Sequence, residues 1–344
     1  MKGRSVYDFG DDTAGVMVSA DETVSVSGTR SSASLTDRQT TIAISQVLDG
    51  VGLHTGAPVR LVFRAAPAGA GIVFRRVDLV SNEKDADRLR KVTVHATANH
   101  VGATQLGTTI ENKFGASVAT IEHVMAAIAG LGLDNLLIEI DGPEVPIMDG
   151  SAAPFLEVLR AAGRAELDAP APRPRLTRAI EIVDGDKVMR AEPADAFEVE
   201  TTIDFADPAI GRQSVALTLT PETFAGDVAD ARTFCMKSDI DMMRAAGLAR
   251  GGSLDNAIVV DAGAIVNEEG LRMADEFAMH KALDLIGDLR LIGAMPAMRV
   301  IAERPGHALN TRFARLLLET PGALDWGVAE DETAQADTPA RAAV

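Results

Sequence analysis

Two segments of this 344-residue chain repeat one design. EHVMAAIAGL (122–131) and MHKALDLIGDL (279–289) each set a histidine early in a run of Ala, Leu and Ile spaced as in a helix. Each is followed by a strand-like run, a glycine turn and a further helical run, GSAAPFLEVL after the first and GHALNTRFARLLL after the second. Several strand-like runs precede each. A helix and a sheet must each bury an apolar face, so this order predicts an α+β chain of two domains with similar topology. Each domain is then a β-sheet packed with helices. If the domains pack as pseudo-symmetric partners, the two histidine helices face each other and the layers stack as a β-α-α-β sandwich.

Composition shifts place the boundaries. Residues 1–38, rich in Ser, Thr, Asp and Gly, are expected to form a flexible extension. Domain I is expected over 39–168, a Pro-rich linker (APAPRP) over 169–174, and domain II over 175–320. An acidic tail follows over 321–344. The patterns predict strands at 40–48, 59–63, 72–76, 91–96 and 134–140 in the first half. The first helix ends near Leu131, with Ser117 or Thr120 as its cap and Gly130 and Gly132 as its stop. Ser151 caps a second helix. In the second half, strands are expected at 178–183, 188–192, 197–205, 214–219, 257–261 and 298–302. Helices are expected at 238–246, at 275–290 and from the RPGH turn (304–307) to about Leu318.

The net charge of −17 at pH 7 argues against nonspecific binding to nucleic acid or to an anionic membrane face. It leaves room for an anionic small molecule in a local basic pocket. The single cysteine, Cys235, excludes an intrachain disulfide framework and a Cys-rich structural zinc site. No apolar run has the length of a signal-peptide core at the N-terminus or of a membrane span anywhere. The expectation is a cytoplasmic protein with no nucleic-acid partner and no stable membrane insertion.

Within 275–290, Phe277, Leu283, Ile286 and Leu289 recur at helical spacing and predict a core-facing side. His280, Asp284 and Asp288 lie four apart and rise as one stripe on a neighbouring face. A histidine and a carboxylate one turn apart can reach one metal ion; the same stripe also suits a solvated or hydrogen-bonded helix face. Facing domains would add His123. Two imidazoles and one carboxylate are the ligand count of a catalytic zinc site, which keeps a fourth position open. Glu122 would then lie beside the metal rather than on it, as a general base does. His307 follows Gly306 in a turn and is the third histidine in a suitable setting. Each of these histidines is also readable as a satisfied core or surface residue. HExxH, GxSxG, P-loop and dinucleotide fingerprints are all missing from the sequence.

Taken in order, GVGLHTG, TIEHVMAAIAGLG, PEVPIMDGSAAPF, ARTF, HKALDLIGDL and GHALN closely resemble the UDP-3-O-acyl-N-acetylglucosamine deacetylases of lipid A biosynthesis. The resemblance covers about 40–318, and its motifs are spread over both halves. It implies His123, His280 and Asp284 as ligands of one zinc ion per chain and Glu122 as the catalytic base. It implies His307 as the charged histidine over the reaction centre, Asp288 as its orienting carboxylate and Thr233 as the hydroxyl at the oxyanion. Lys281 would lie near the substrate diphosphate, Arg304 would be a second basic residue, and Phe205 would stack on uracil. An insertion near 235–256 would form the acyl-chain passage, lined by Met236, Ile240, Met243 and Leu248. Departures are local. Cys235 and Met236 stand where the family pattern has Gly and an aromatic; Leu254 and Asn256 replace residues expected to be larger or less polar. These changes touch the acyl passage.

The implied function is zinc-dependent hydrolysis of the N-acetyl group of UDP-3-O-acyl-N-acetylglucosamine by a monomer whose partner is this UDP-linked acylated amino sugar. Two other readings are a zinc amidohydrolase for another acylated sugar and a non-catalytic nucleotide-sugar binding protein. Zinc-dependent acetate release separates the binding protein from both enzymes.

Overall fold

Strand and helix patterns in each half fold into one five-stranded sheet packed with helices. The computed structural model describes residues 38–80 and 86–327. The first half runs β1 (Arg38–Ile42), β2 (Gln46–Val51), β3 (Pro58–Ala65), β4 (Ile72–Arg76), α1 (Ala86–Val92), β5 (Thr93–His95), β6 (Ile110–Glu111), β7 (Ser117–Val118), α2 (Glu122–Leu131), β8 (Leu136–Ile140), α3 (Ala153–Ala161) and β9 (Arg164–Pro170). The second half runs β10 (Arg175–Leu176), β11 (Ile180–Asp184), β12 (Lys187–Pro193), β13 (Phe197–Asp204), β14 (Arg212–Thr218), the single turn α4 (Pro221–Thr223), β15 (Phe234–Met236), α5 (Lys237–Ala245), β16 (Ile258–Asp261), β17 (Ala264–Ile265), α6 (Glu276–Leu289), β18 (Met298–Glu303), α7 (His307–Glu319) and β19 (Leu324–Asp325).

The two sheets have the same design. Strand order is β2-β3-β8-β4-β5 in one and β11-β12-β18-β13-β14 in the other. Each opens with an antiparallel hairpin, β2 with β3 and β11 with β12. Each has a central strand, β8 or β18, antiparallel to the hairpin and parallel to the next strand. In both halves the chain reaches that central strand only after the histidine helix. The weak sequence repeat is therefore a repeat of sheet topology. Each half is also tied end to end, β1 pairing β9 and β10 pairing β19.

Burial places the histidine helices at the centre. From Glu122 to Gly130 every residue of α2 is buried, and so is nearly all of α6. A helix buried on all sides belongs between layers. One apolar cluster joins Phe63 and Phe74 of the first sheet, Met125 and Ile128 of α2, Leu283 and Ile286 of α6, and Val199 and Met298 of the second sheet. α3 packs on α2, and α7 packs on α6. The layers follow the expected β-α-α-β order. The helix backbones nearly touch at Gly287, where a Cβ would lie 2.1 Å from the Glu122 carbonyl oxygen.

Several local expectations differ. Ser117 lies in β7, and Thr120 adopts a φ of 58°, so neither caps α2. The Thr120 hydroxyl donates instead to the buried Glu144 carboxylate (3.3 Å), which also accepts from the His54 and Thr55 backbone N–H groups. Gly132 ends α2 in the left-handed region; Gly130 stays inside the helix, where a Cβ would strike the Phe224 ring at 2.3 Å. Residues 43–45 break the strand expected over 40–48, and α1 takes the first part of 91–96. Ala169 and Pro170, expected in the linker, finish β9. Leu324 and Asp325, expected in the tail, form β19. The rest of the expected extension and tail, 1–37 and 328–344, lies outside the described residues. Among the described residues, no helix is long and apolar enough to cross a membrane.

Candidate active site

Because α2 and α6 meet at Gly287, the first turn of α2 and the stripe on α6 share one buried space. His123, His280 and Asp284 come together there, their ligand atoms all within 4.8 Å of one another. Asp284 Oδ1 lies 3.4 Å from Nε2 of His280 and 3.7 Å from Nε2 of His123. The two imidazoles meet edge to face, with centroids 5.1 Å apart. The solvated reading of the stripe fails: His280, Asp284 and Asp288 are 1–2% exposed.

This group fits a zinc ion. Asp284 Oδ1 is buried and has no hydrogen-bond partner, which is costly unless a cation sits against it. Its other oxygen accepts from Lys281 Nζ at 2.8 Å. Nδ1 of His280 donates to the Ala231 carbonyl (3.0 Å), so the Nε2 lone pair turns toward Asp284. Burial pushes His123 down to about 3, helped by the neighbouring His280 ring, and burial also lowers His280. Both rings are then neutral, as metal ligands must be. Burial opposes the Asp284 charge, but His280, Lys281, His307 and His123 outweigh it and hold the carboxyl well below its usual range.

Two further titratable groups flank the cluster. Glu122 opens α2; its Oε2 accepts from the Thr108 N–H at 2.9 Å. Burial pushes Glu122 up to about 7, against the pull of His307 and with Asp284 and Asp288 adding to the rise. His307 opens α7, and its Nε2 lies 4.0 Å from both Glu122 Oε1 and Asp284 Oδ2. Its Nδ1 lies 3.0 Å from Asp288 Oδ2. At 14% side-chain exposure, His307 is more open than Glu122, His123 or Asp284.

The remaining expected residues are spread around this centre. Thr233 is half-buried two residues beyond Ala231, held by its N–H to the Gly150 carbonyl (2.8 Å). Lys281, besides holding Asp284, has its Nζ 5.5 Å from the centroid of the Phe234 ring. Phe205 is 36% exposed and meets Phe234 edge to face at 5.5 Å, and Phe234 in turn lies 6.3 Å from the His280 ring. Arg304 is not in the cluster. It pairs with Asp186 and Asp204 and adopts a φ of 51°. Met236, Ile240, Met243 and Leu248 lie half-buried on and beside β15 and α5.

Sequence reasoning missed Thr108 and Asn310. The Thr108 hydroxyl donates to Asp288 Oδ1 (2.6 Å), and Asn310 Nδ2 donates to Asp288 Oδ2 (2.9 Å). Asn310 stands inside the GHALN motif without a role, and Thr108 lies in a polar, glycine-punctuated stretch that has no periodicity to read.

Residues 39–319 match the family model described as UDP-3-O-acyl N-acetylglycosamine deacetylase. The chain is 46% identical over 283 residues to the UDP-3-O-acyl-N-acetylglucosamine deacetylase of Myxococcus xanthus, covering 82% of this chain and 87% of that protein. It is 47% identical over 285 residues to the protein of the same name from Anaeromyxobacter dehalogenans, covering 83% and 89%. The Phenylobacterium zucineum protein of that name is 45% identical over 285 residues, covering 83% and 94%. Matches of this length, running through both halves and both histidine helices, place the chain in the UDP-3-O-acyl-N-acetylglucosamine deacetylase family.

Proposed function

We propose that this chain is the zinc-dependent hydrolase that removes the N-acetyl group of UDP-3-O-acyl-N-acetylglucosamine in lipid A biosynthesis, with its reaction centre at the seam of α2, α6 and α7. The observation that carries this reading is the convergence on Asp284: two imidazoles at Oδ1, and His307 within reach of both Asp284 and Glu122. His123, His280 and Asp284 hold the zinc. When bound, zinc supplies Lewis acidity, which polarises the acetamide carbonyl and acidifies the attacking water.

The chain's own groups do the rest. Glu122 takes a proton from the water as its oxygen bonds to the acetamide carbon. A carboxyl pushed up to about 7 is matched to accepting and releasing a proton near neutral pH. The protonated His307, held by Asp288, donates to the oxyanion that forms, and the Thr233 hydroxyl donates from the other side. The C–N bond then breaks, its electron pair goes to nitrogen, and the amine leaves with a proton from the Glu122–His307 pair. The products are acetate and UDP-3-O-acyl-glucosamine.

Lys281 and Arg304 supply positive charge for the diphosphate, Phe205 stacks on uracil, and Met236, Ile240, Met243 and Leu248 line the acyl passage. The enzyme works as a cytoplasmic monomer. Its domains meet across the short segment 171–174, the part of the expected linker that lies between β9 and β10. Acetate release from UDP-3-O-acyl-N-acetylglucosamine, assayed before and after chelation and after zinc is restored, tests the reading. Zinc-dependent turnover is expected; equal turnover by metal-free protein would overturn it.

A further inference from the structure

The peptide joining Ala231 to Arg232 is held at both ends by α6. Its carbonyl accepts from Nδ1 of His280 at 3.0 Å, and its N–H donates to Oε1 of Glu276 at 3.0 Å. Glu276 precedes His280 by four residues, so both contacts lie on one face of the helix, one turn apart. A trans peptide is planar, with C=O and N–H on opposite sides, so fixing the N–H fixes the direction of the carbonyl. The Arg232 side chain closes the arrangement. Its Nε donates to Glu276 Oε1 (2.8 Å), and Nη2 donates to Glu276 Oε2 (3.2 Å) and to the Gly270 carbonyl (2.8 Å). Nη1 donates to Glu269 Oε1 (2.8 Å), and the Arg272 N–H donates to Glu276 Oε2 (2.6 Å). Arg232 is 2% exposed and Glu276 is 0% exposed.

Burying such a pair has a large desolvation cost, and apolar replacements of similar volume are often neutral or stabilising. Stability alone therefore does not account for it here. Direction does. We infer that Glu276 and Arg232 are positioning residues for His280: they hold the one carbonyl that keeps the ring proton on Nδ1 and leaves the Nε2 lone pair facing Asp284. The inference rests on the proposed assignment of His280 as a zinc ligand. No substrate contact is required of either residue; they act through the Ala231–Arg232 peptide.

Zinc affinity of the intact chain, measured by competition with a chromophoric chelator, tests this. Glu276→Gln keeps the volume and one carbonyl oxygen, and Arg232→Lys keeps the charge but loses the planar fork. Each is expected to bind zinc about 10- to 100-fold more weakly, the usual cost of losing a group that orients a ligand. The visible spectrum of the Co(II)-substituted variants should shift with the altered ligand geometry. Val199→Ala, in the core of the second sheet, controls for lost stability and should lower Tm while keeping parental zinc affinity. Parental affinity in both Glu276→Gln and Arg232→Lys would overturn the inference. So would an equal loss in Val199→Ala at a matched fall in Tm. If His280→Ala keeps parental affinity, the ligand assignment and this inference fail together. If it loses zinc while the two variants do not, only the positioning role fails. One measurement needs no variant: the ring-nitrogen NMR shifts of His280 in the zinc-loaded parent should place the proton on Nδ1, and a proton on Nε2 would overturn the inference.

Discussion

Nδ1 of His307 lies 3.0 Å from Oδ2 of Asp288, and this contact sets the charge of the site. Burial alone would depress the ring, but the carboxylates of Asp288, Glu122 and Asp284 outweigh it and push His307 up to about 9. The ring is then protonated at neutral pH, the form that the proposed reaction uses. Activity should therefore fall as pH rises through about 9. In Asp288→Asn the nearest negative charge is gone, and the basic limb of kcat/KM should move toward the ordinary histidine value of about 6.5. A pH–rate profile at saturating zinc checks this. An unmoved limb would remove His307 as the titrating group.

The same shift has a thermodynamic side. The folded-state value lies above the unfolded one, so the His307 contribution to stability is fully present below about pH 6.5. It is lost as pH rises through about 9. Glu122, also raised, acts in a lower window that ends at about 7. Thermal unfolding of metal-free protein between these upper limits should show Tm falling with pH, and the double variant Glu122→Gln/His307→Gln, which removes both coupled groups, should lack that part of the slope. Equal slopes in the two proteins would count against the assignment.

Glu122 and His123 are chain neighbours with opposite expected phenotypes. Glu122→Gln removes the proposed base and none of the proposed ligands, so zinc content should stay near one per chain while kcat drops by about 10²- to 10⁴-fold. His123→Ala removes a ligand, so the metal itself should be lost. Metal analysis beside kcat separates the two. Loss of zinc in Glu122→Gln would make that carboxylate a ligand rather than a base.

These residues were legible in the sequence because helices have a period. His280, Asp284 and Asp288 fall on one stripe by spacing alone, and the second histidine helix, with its own strand and helix behind it, announces the repeated sheet. Contacts between elements have no such period. Thr108 and Asp288 are 180 positions apart and share one hydrogen bond. Thr120 reads as a cap by residue type, but Glu144, 24 positions later, draws its hydroxyl away. The resemblance places Lys281 near a substrate diphosphate, and its amine is found on Asp284, three residues on along the helix. Local spacing shows which face a side chain leaves from, not which partner meets it.

Gly287 marks where α2 and α6 come closest. A methyl group there would have to displace the Glu122 carbonyl, because its Cβ would lie 2.1 Å from that oxygen. Gly287→Ala should cost about 1–3 kcal/mol by overpacking and should lower kcat by shifting Glu122 and His123 away from Asp284. Gly226, where a Cβ would meet nothing within 4 Å, is the control, and Gly226→Ala should be tolerated. Denaturant unfolding and kcat on both variants check the contrast. Equal tolerance would mean that the helices can separate without disturbing the site.

Thr108 links the base to the His307 partner across that same seam. Its N–H donates to Glu122 Oε2 (2.9 Å) and its hydroxyl to Asp288 Oδ1 (2.6 Å). Thr108→Val keeps the shape and the N–H but deletes the hydroxyl. A hydrogen bond to a charged group contributes about 1.5–3 kcal/mol, so Tm should fall. Asp288 keeps His307 and Asn310 as donors, and the imidazole stays oriented. With one donor fewer, however, more of the Asp288 negative charge is left to face the imidazolium. The basic limb of Thr108→Val should therefore move to higher pH, opposite to Asp288→Asn, while Thr108→Ser keeps the parental limb. A shift in the same direction as Asp288→Asn would show that Thr108 holds the carboxylate in place for His307 rather than sharing its charge.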